Sequence, residues 1–391
     1  MSPKVDVKRF ARVGGGCVEG ASRGAGAGVG AQGAGRNSSF DVVIVGGGAA
    51  GCFLSSALGE GFRVLLVEKG GFPRSKPCGG VLVEESSSLV GKFGVPRAVF
   101  SEPFDLGLRH LDLDNGVDVL QSKRGLVNIS RVEFDSWLHS VAQQSASVAS
   151  GTRFVRFERC AGGFRVFLEH GQKKFEVFSR FLVGADGASS AVRPLVCESV
   201  VPRYVAVQET GVLPAGGQMG DAVFVYDDSI TDYYSWVIPK GNEVLVGTAL
   251  RFGEQHKFQL FVSKLRALGF SWKRRKMEAA LLSRPMSVED LAFGESGVFL
   301  IGEAAGLVSP STGEGISFAL RSALACAKAI RKAGKNPVDD YEKLCAPLVR
   351  ELAAKMEKAK FLSGAQSRKL VFGRLKSAGM RKVAVPVSQL V

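Results

Sequence analysis

Gly46, Gly48 and Gly51 stand at G-x-G-x-x-G spacing, and Glu68 follows 17 residues after the last of them. Those residue types at that spacing can hold a dinucleotide. Gly46 permits a tight turn, Gly48 lets a pyrophosphate approach the backbone, and Gly51 lets a helix and a strand pack closely. An acid at position 68 can accept hydrogen bonds from a ribose. Context gives the motif its weight. The apolar run Val42–Val45 reads as a buried parallel strand, and Val64–Val67 reads as a second one ending at Glu68. The small-residue helix between them starts at Ala49 and Ala50, where free N–H groups and partial positive charge favour an anion. The competing reading is a glycine-rich turn between two strands.

Other stretches carry chemistry-bearing side chains at similar places. The loop Gly71 to Gly80, GFPRSKPCGG, is too rich in proline and glycine for regular structure. It sets Cys78, Gly79 and Gly80 at the C-terminal edge of a parallel sheet, where ligands bind. Cys78 could equally be a small apolar filler. A strand ending at Val183 runs into Gly184-Ala185-Asp186-Gly187, which leaves Asp186 as a ligand contact or a turn residue. The run Val298–Ile301 breaks into Gly302-Glu303 and later Gly313-Glu314-Gly315, followed by a helix from Ile316 to about Arg331. Glycines at that helix start expose N–H groups to an electron-rich ligand atom. Tyr234 and Trp236 alternate on one strand face, as pocket walls or as core aromatics.

The elements that position these residues follow from length and pattern. A chain of 391 residues buries a large core, commonly in two domains. Strands are expected near Leu106–Leu111 and Val117–Leu120, and a meander over 152–183. Helices are expected just after Arg131, near 255–268 and over Tyr341–Leu362, the last with Leu344, Leu348, Leu352 and Met356 along one side. Seven scattered cysteines and four histidines fall in no metal-ligand spacing, so the sequence offers no metal site and suits reduced thiols. Each histidine, His139 included, reads as a surface or packing residue. No apolar run reaches the roughly 20 residues that cross a bilayer.

The net charge of +14 sits at the ends. Residues 1–39 carry +4, residues 328–391 carry +10, and residues 40–327 are neutral. This argues against a nucleic-acid channel through the body and for a basic tail directed at a surface, or merely solvated. The Gly/Ala tract before residue 39 reads as a disordered extension without a secretory core. Organellar import is a further option there.

Three ordered blocks, GGGAAG with Glu68, GADG, and GEAAG with GEGI, resemble the FAD-binding motifs of hydroxybenzoate-hydroxylase-type flavoproteins. Within that group, KPCGG and YYSWVIPK are similar to the geranylgeranyl reductase family. SKPCGG, YVAVQ, DDSITDYYSW and LIGEAAGLVSPSTGEGIS point to its CbrA-like branch. The resemblance covers roughly residues 40–330. It implies an α/β fold: a discontinuous Rossmann-type FAD-binding domain, an inserted antiparallel β-rich substrate domain and a helical C-terminal tail. The boundaries expected are 40–100, 126–200 and 285–335 for FAD, 101–125 and 201–284 for the β-rich part, and 336–391 for the basic segment.

Carried over by position, Gly46, Gly48, Ala49, Ala50, Gly51 and Glu68 would hold the adenosine end of FAD. Asp186 would lie near the ribose–pyrophosphate linkage, and Gly302 and Glu303 near the ribityl chain. Gly313, Gly315 and Ile316 would sit beside the isoalloxazine, with Cys78, Gly79 and Gly80 close to it and Arg131 in contact. Tyr234, Trp236, Ile238, Pro239 and Lys240 would line a lipid-facing pocket, and Cys78, Tyr234 and Trp236 are the catalytic candidates. Two positions depart from the family: Glu303 replaces an aspartate, and Ile238 replaces a phenylalanine.

The resemblance implies FAD-dependent reduction of C=C bonds in a polyprenyl lipid, with NAD(P)H or a reduced carrier protein as donor. The scattered cysteines suit a cytoplasmic protein, and the basic C-terminal segment suits peripheral contact with an anionic membrane. A monooxygenase or halogenase on the same fold is one alternative, because Tyr234–Pro239 approaches the W-x-W-x-I-P block of halogenases without its first tryptophan. A non-catalytic flavoprotein that binds a prenyl lipid is the other.

Overall fold

The structure is a computed structural model that describes residues 39–377 and 381–382. The Gly/Ala tract, with its expectations of disorder and import, lies outside the described residues. The chain opens with β1 (Ser39–Val45), α1 (Ala49–Leu58) and β2 (Val64–Glu68). After the loop come β3 (Val81–Leu82), α2 (Glu84–Gly91) and the long hairpin β4 (Phe100–Asp112) and β5 (Val117–Ile129). Next are α3 (Arg131–Gln143), β6 (Ser147–Ser150) and the meander β7 (Thr152–Cys160), β8 (Gly163–His170), β9 (Lys173–Gly184). A second strand series follows: β10 (Arg203–Val212), β11 (Asp221–Asp227), β12 (Thr231–Lys240), β13 (Glu243–Leu250), α4 (Lys257–Ala267) and β14 (Lys273–Ser283). The chain closes with β15 (Gly294–Glu295), β16 (Val298–Leu300), α5 (Ile316–Lys332), α6 (Pro337–Leu362), α7 (Ala365–Ser377) and β17 (Arg381–Lys382).

One sheet has the order β15-β16-β9-β1-β2-β6, with β7 and β8 extending from β9. Its centre is parallel: β1 pairs with both β2 and β9, and β16 adds on the far side of β9. Val42, Val43 and Ile44 are fully buried there, as an apolar run flanked on both faces requires. Side by side, the C-terminal ends of β1, β9 and β16 release the three glycine-bearing turns along one sheet edge.

The second sheet runs β14-β10-β13-β12-β11-β4-β5-β17, antiparallel except where β11 joins β4. Alternation gives it two apolar faces. Val223, Val225 and Val237 pack under Phe258, Phe261 and Leu265 of α4. Tyr234, Trp236 and Ile238 look the other way, into a cluster that Leu362 of α6 and Phe372 of α7 complete. The hairpin β4–β5 therefore belongs to this sheet and is far longer than its apolar runs suggest.

The C-terminal helices pack on the body. In α6 the buried stripe is Tyr341, Cys345, Leu348, Leu352, Met356 and Ala359, whereas Leu344 is 44% exposed. The expectation that Leu344 shares the apolar side is corrected: the buried stripe passes through Tyr341 and Cys345, one turn and one residue away. Arg368 of α7 is buried among Asp112, Asp114 and Asp228. Among the described residues no helix is long and apolar enough to cross a membrane, and no metal-ligating cluster occurs.

Candidate functional site

Gly46 adopts φ +107°, and a Cβ there would lie 2.5 Å from the Ala185 carbonyl oxygen. A Cβ on Gly51 would lie 1.9 Å from the Gly46 oxygen. The fold itself demands both glycines. Gly48 differs: its backbone is extended (φ −79°, ψ −173°), and a Cβ there would meet nothing nearer than Arg74 Nη2 at 3.6 Å. Packing therefore gives no reason for glycine at 48. The space it leaves lies at the N-terminus of α1, which no side chain caps and whose first turn holds no acid. That leaves N–H groups for an anion.

Beside this space lies Glu68, 3% exposed. Its Oε2 accepts from the Gly47 N–H at 2.8 Å and pairs with Arg74 Nη1 at 3.1 Å, and its Oε1 accepts from the Gly70 N–H at 2.9 Å. The Arg74 guanidinium lies over Phe72, which stacks on His139 with centroids 4.1 Å apart. Arg74 Nε and His139 Nε2 are buried and make no hydrogen bond. Burial lowers the His139 pKa, and Arg74 lowers it further, against the opposing pull of Glu68. Neither residue was among the sequence candidates. His139 does pack, as expected, but it packs at the site, and a cation in a loop leaving the sheet edge was the available signal for Arg74.

The second and third turns meet next to the first. A Cβ on Gly46 would come within 2.8 Å of Asp186 Cα, and one on Gly187 would lie 3.9 Å from Glu303 Oε2. Asp186 braces its own turn, accepting from Ser190 Oγ at 2.6 Å and the Ala191 N–H at 2.7 Å, while burial raises its pKa. Glu303 accepts from the Ser283 N–H at 2.9 Å and pairs with Lys76 at 3.4 Å. Gly302 is at φ +57°, with its N–H on Ser322 Oγ. At the start of α5, the Glu314 carboxylate accepts from the Ser317 N–H at 2.7 Å, and burial raises its pKa. Gly315 and Ile316 begin that helix.

The β12 residues converge on the same loops. Tyr233 and Tyr234 donate through their hydroxyls to the carbonyls of Ser309 and Thr312, and so hold the turn that carries Gly313. Trp236 lies flat on Gly247 and donates to Gln208 Oε1 at 3.0 Å. A Cβ on Gly79 would lie 2.7 Å from Ile238 Cδ1, so the Cys78-Gly79-Gly80 loop rests against β12. The Pro239 carbonyl accepts from Asn128 Nδ2 at 2.9 Å. Lys240 Nζ donates to the carbonyls of Gly80 (2.9 Å) and Ile129 (2.8 Å) and to Asn128 Oδ1. Its amine is thus turned onto the loop and the end of β5.

Arg131 grips Asp135 through two bonds of 3.0 and 2.9 Å. Burial would raise the Cys78 thiol, but Arg131 and the Gly80 N–H outweigh it and pull the pKa below the ordinary value. Burial drives Lys240 down to about 7.

Residues 39–218 match the family described as FAD binding domain. Protein CbrA of Escherichia coli O6:H1 is 30% identical over 341 residues, spanning 85% of this chain and 92% of that protein. Protein CbrA of Shigella sonnei is also 30% identical, over 96% of its length and 85% of this chain. Among solved structures, a geranylgeranyl bacteriochlorophyll reductase-like protein from Thermoplasma acidophilum superimposes at TM-score 0.74 and 19% identity, covering 85% of this chain and 90% of its own. CmlS, a flavin-dependent halogenase, reaches 0.65 at 20% identity, with 83% and 64% covered. At such identities these structures share the fold.

Proposed function

Because the chain belongs to the FAD-dependent oxidoreductase family that includes the CbrA proteins, we propose that it reduces C=C bonds of a polyprenyl lipid with FAD as its cofactor. The residues fit that cofactor. The open position at Gly48 and the unpartnered Arg74 Nε and His139 Nε2 are what a ligand's phosphates and adenosine end would fill. Gly46, Gly48, Ala49, Ala50, Gly51, Glu68 and Arg74 would hold that end. Asp186, Gly302 and Glu303 would hold the middle, and Gly313, Gly315 and Ile316 the ring.

Bound and reduced FAD supplies the hydride. The chain's part is to orient the acceptor and exclude water, which shields a reduced flavin from side reactions. The observation that carries the reading is the seat of Cys78-Gly79-Gly80 on Ile238, beside the apolar face of Leu106, Tyr234 and Trp236. Packing against Ile238 and Ile129 requires both glycines, which seats the loop backbone directly on β12, and the neighbouring face offers an alkene no charge. Electrons would come from NAD(P)H or a reduced carrier protein, and the lipid from an anionic membrane touched at the basic C-terminal helices.

A monooxygenase or halogenase reading has its own support in the shared fold of CmlS and of pqsL, a probable FAD-dependent monooxygenase from Pseudomonas aeruginosa. The test is anaerobic incubation of dithionite-reduced protein with a geranylgeranyl lipid, read by mass spectrometry. Stepwise gain of H2 is expected. Gain of an oxygen atom or a halogen under air would move the protein to the second reading, and bound but unaltered lipid would leave a non-catalytic binder.

A further inference from the structure

Residues 70–80, GGFPRSKPCGG, cross from the first sheet to the second, and three consecutive side chains fasten the crossing. Arg74 Nη1 pairs with Glu68 Oε2 of β2 at 3.1 Å. Ser75 Oγ donates to Glu278 Oε2 of β14 at 2.7 Å. Lys76 Nζ pairs with Glu303 Oε2, just beyond β16, at 3.4 Å. Glu68 stands at the adenosine end of the cofactor groove and Glu303 at the ribityl end, so residues 74–76 span the groove between them. Ahead of this span, Phe72 stacks on His139 of α3. Arg74 Nη2, at 3.6 Å, is the nearest atom to the open position at Gly48. A pyrophosphate seated there would lie between the N-terminus of α1 and the Arg74 guanidinium, which roofs it.

The sequence of this crossing suits a moving part. Pro73 and Pro77 bracket residues 74–76 and restrict the backbone on both sides, which stiffens the piece that carries the three fastenings. Its two ends differ. Gly79 and Gly80 are seated, since a Cβ would lie 2.7 Å from Ile238 Cδ1 at the first and 2.3 Å from the Ile129 oxygen at the second. Gly70 is held through its N–H on Glu68, but a Cβ at Gly71 would meet nothing within 4 Å. The free joint is Gly71.

We propose that residues 72–76 are a strap over the cofactor groove, hinged at Gly71, which must open for FAD to enter or leave. Arg74 is the member that touches the dinucleotide, and Ser75 and Glu278 are positioning residues that hold the strap shut. Singly, an exposed polar contact contributes little. Here three in a row join one stiff segment to both ends of the groove and to the second sheet. Among the described residues, the Glu278 carboxylate is engaged by Ser75 and Lys276 and by no cofactor-holding residue. The strap therefore couples cofactor exchange to the sheet that carries Tyr234 and Trp236. The inference rests on FAD lying in this groove and on no choice of substrate.

The test is the rate of FAD exchange in the full chain, with no substrate present. Release is followed by recovery of free-flavin fluorescence on dilution of the FAD-loaded chain, and entry by stopped-flow quenching of FAD mixed with the flavin-free chain. Ser75 is exposed and Glu278 half-buried, so substitution at either leaves the core intact. Because this fastening lies off the cofactor, loosening it should speed entry and exit alike, about threefold each for Ser75→Ala or Glu278→Ala, with Kd unchanged. The double variant should be no faster than either single one, since both remove one bond. Glu278→Gln should keep the wild-type rates, because its amide oxygen still accepts from Ser75. Unchanged rates in Ser75→Ala and Glu278→Ala would overturn the proposal, and so would faster exit without faster entry, the mark of a lost direct contact. A wild-type chain that takes up no FAD would overturn the cofactor reading along with the strap.

Discussion

A methyl group at Gly51 would lie 1.9 Å from a carbonyl oxygen, and one at Gly46 2.5 Å from another, whereas at Gly48 it would enter open space. The three glycines should therefore fail differently. Gly51→Ala and Gly46→Ala should lower stability by about 1–3 kcal/mol or more, since backbone cannot yield as a flexible side chain does. Gly48→Val should melt near the FAD-free wild type yet purify without yellow colour, because it fills only ligand space. Equal melting losses in all three, measured against the FAD-free wild type, would contradict this division. Arg74→Ala should keep the fold and weaken FAD binding by about tenfold, near 1.4 kcal/mol, as measured by flavin fluorescence on titration. Lys240 bears on pH. Its folded pKa of about 7 lies below the ordinary 10.5, so between those values the unfolded chain binds more protons. Stability should rise with pH across that window, while below pH 7 the cost stays constant. The lowered Cys78 thiol acts in the same direction. Urea melts at pH 7 and 9 should show the rise, and Lys240→Met should flatten it.

At the level of elements, α7 is fastened by one side chain. Arg368 is 1% exposed and pairs with Asp112 at 3.1 Å, Asp228 at 2.7 Å and Asp114, while Phe372 of the same helix closes on Tyr226 and His110. Arg368→Leu should cost about 3 kcal/mol, because it strands the buried Asp112 without its cation. Part of the loss should return at low pH as Asp114, whose pKa burial raises, takes up a proton. A thermal melt that barely moves would mean the cluster is open to water. Nothing in the local pattern announced this latch, since its partners lie more than a hundred residues away in sequence. What could be read was local. The β1–α1–β2 unit, the meander, α5 and the end of α6 at Leu362 follow from apolar periodicity and glycine placement, while α6 starts one turn earlier than expected, at Pro337. Arg74 and the clamping role of Lys240 could not be read, because a long cationic side chain looks alike on a solvated loop and over a buried carbonyl. The same limit applied to α6. Spacing marked it as amphipathic, but only packing shows that its stripe runs through Tyr341 and Cys345 instead of Leu344.

Across the whole molecule, a neutral body carries a C-terminal segment of net charge +10. The apolar stripe of α6 is spent on that body and cannot also enter a bilayer. Among the described residues of this segment, the large apolar groups left outside are Leu344, Phe361 and Leu370, at 44, 55 and 71% exposure. They share the last two helices with nine of the segment's fifteen Lys and Arg and with all five of its acids, a net charge of +4. If the protein draws its substrate from a membrane, this is the surface that would touch it. Cations near an anionic surface contribute roughly 1 kcal/mol each, and salt screens them. The protein should therefore sediment with phosphatidylserine vesicles at low salt and be released at about 0.5 M. Removing residues 364–391 would be a poor test, because it takes Arg368 and Phe372 out of the core. Phe361→Ser with Leu370→Ser is cleaner: both side chains are exposed, so melting should hold. Each buries roughly 1.5–3 kcal/mol of apolar surface if it enters the interface, so vesicle affinity should fall at least tenfold. Unchanged affinity in that variant, or binding indifferent to salt, would show that the basic helices face water alone.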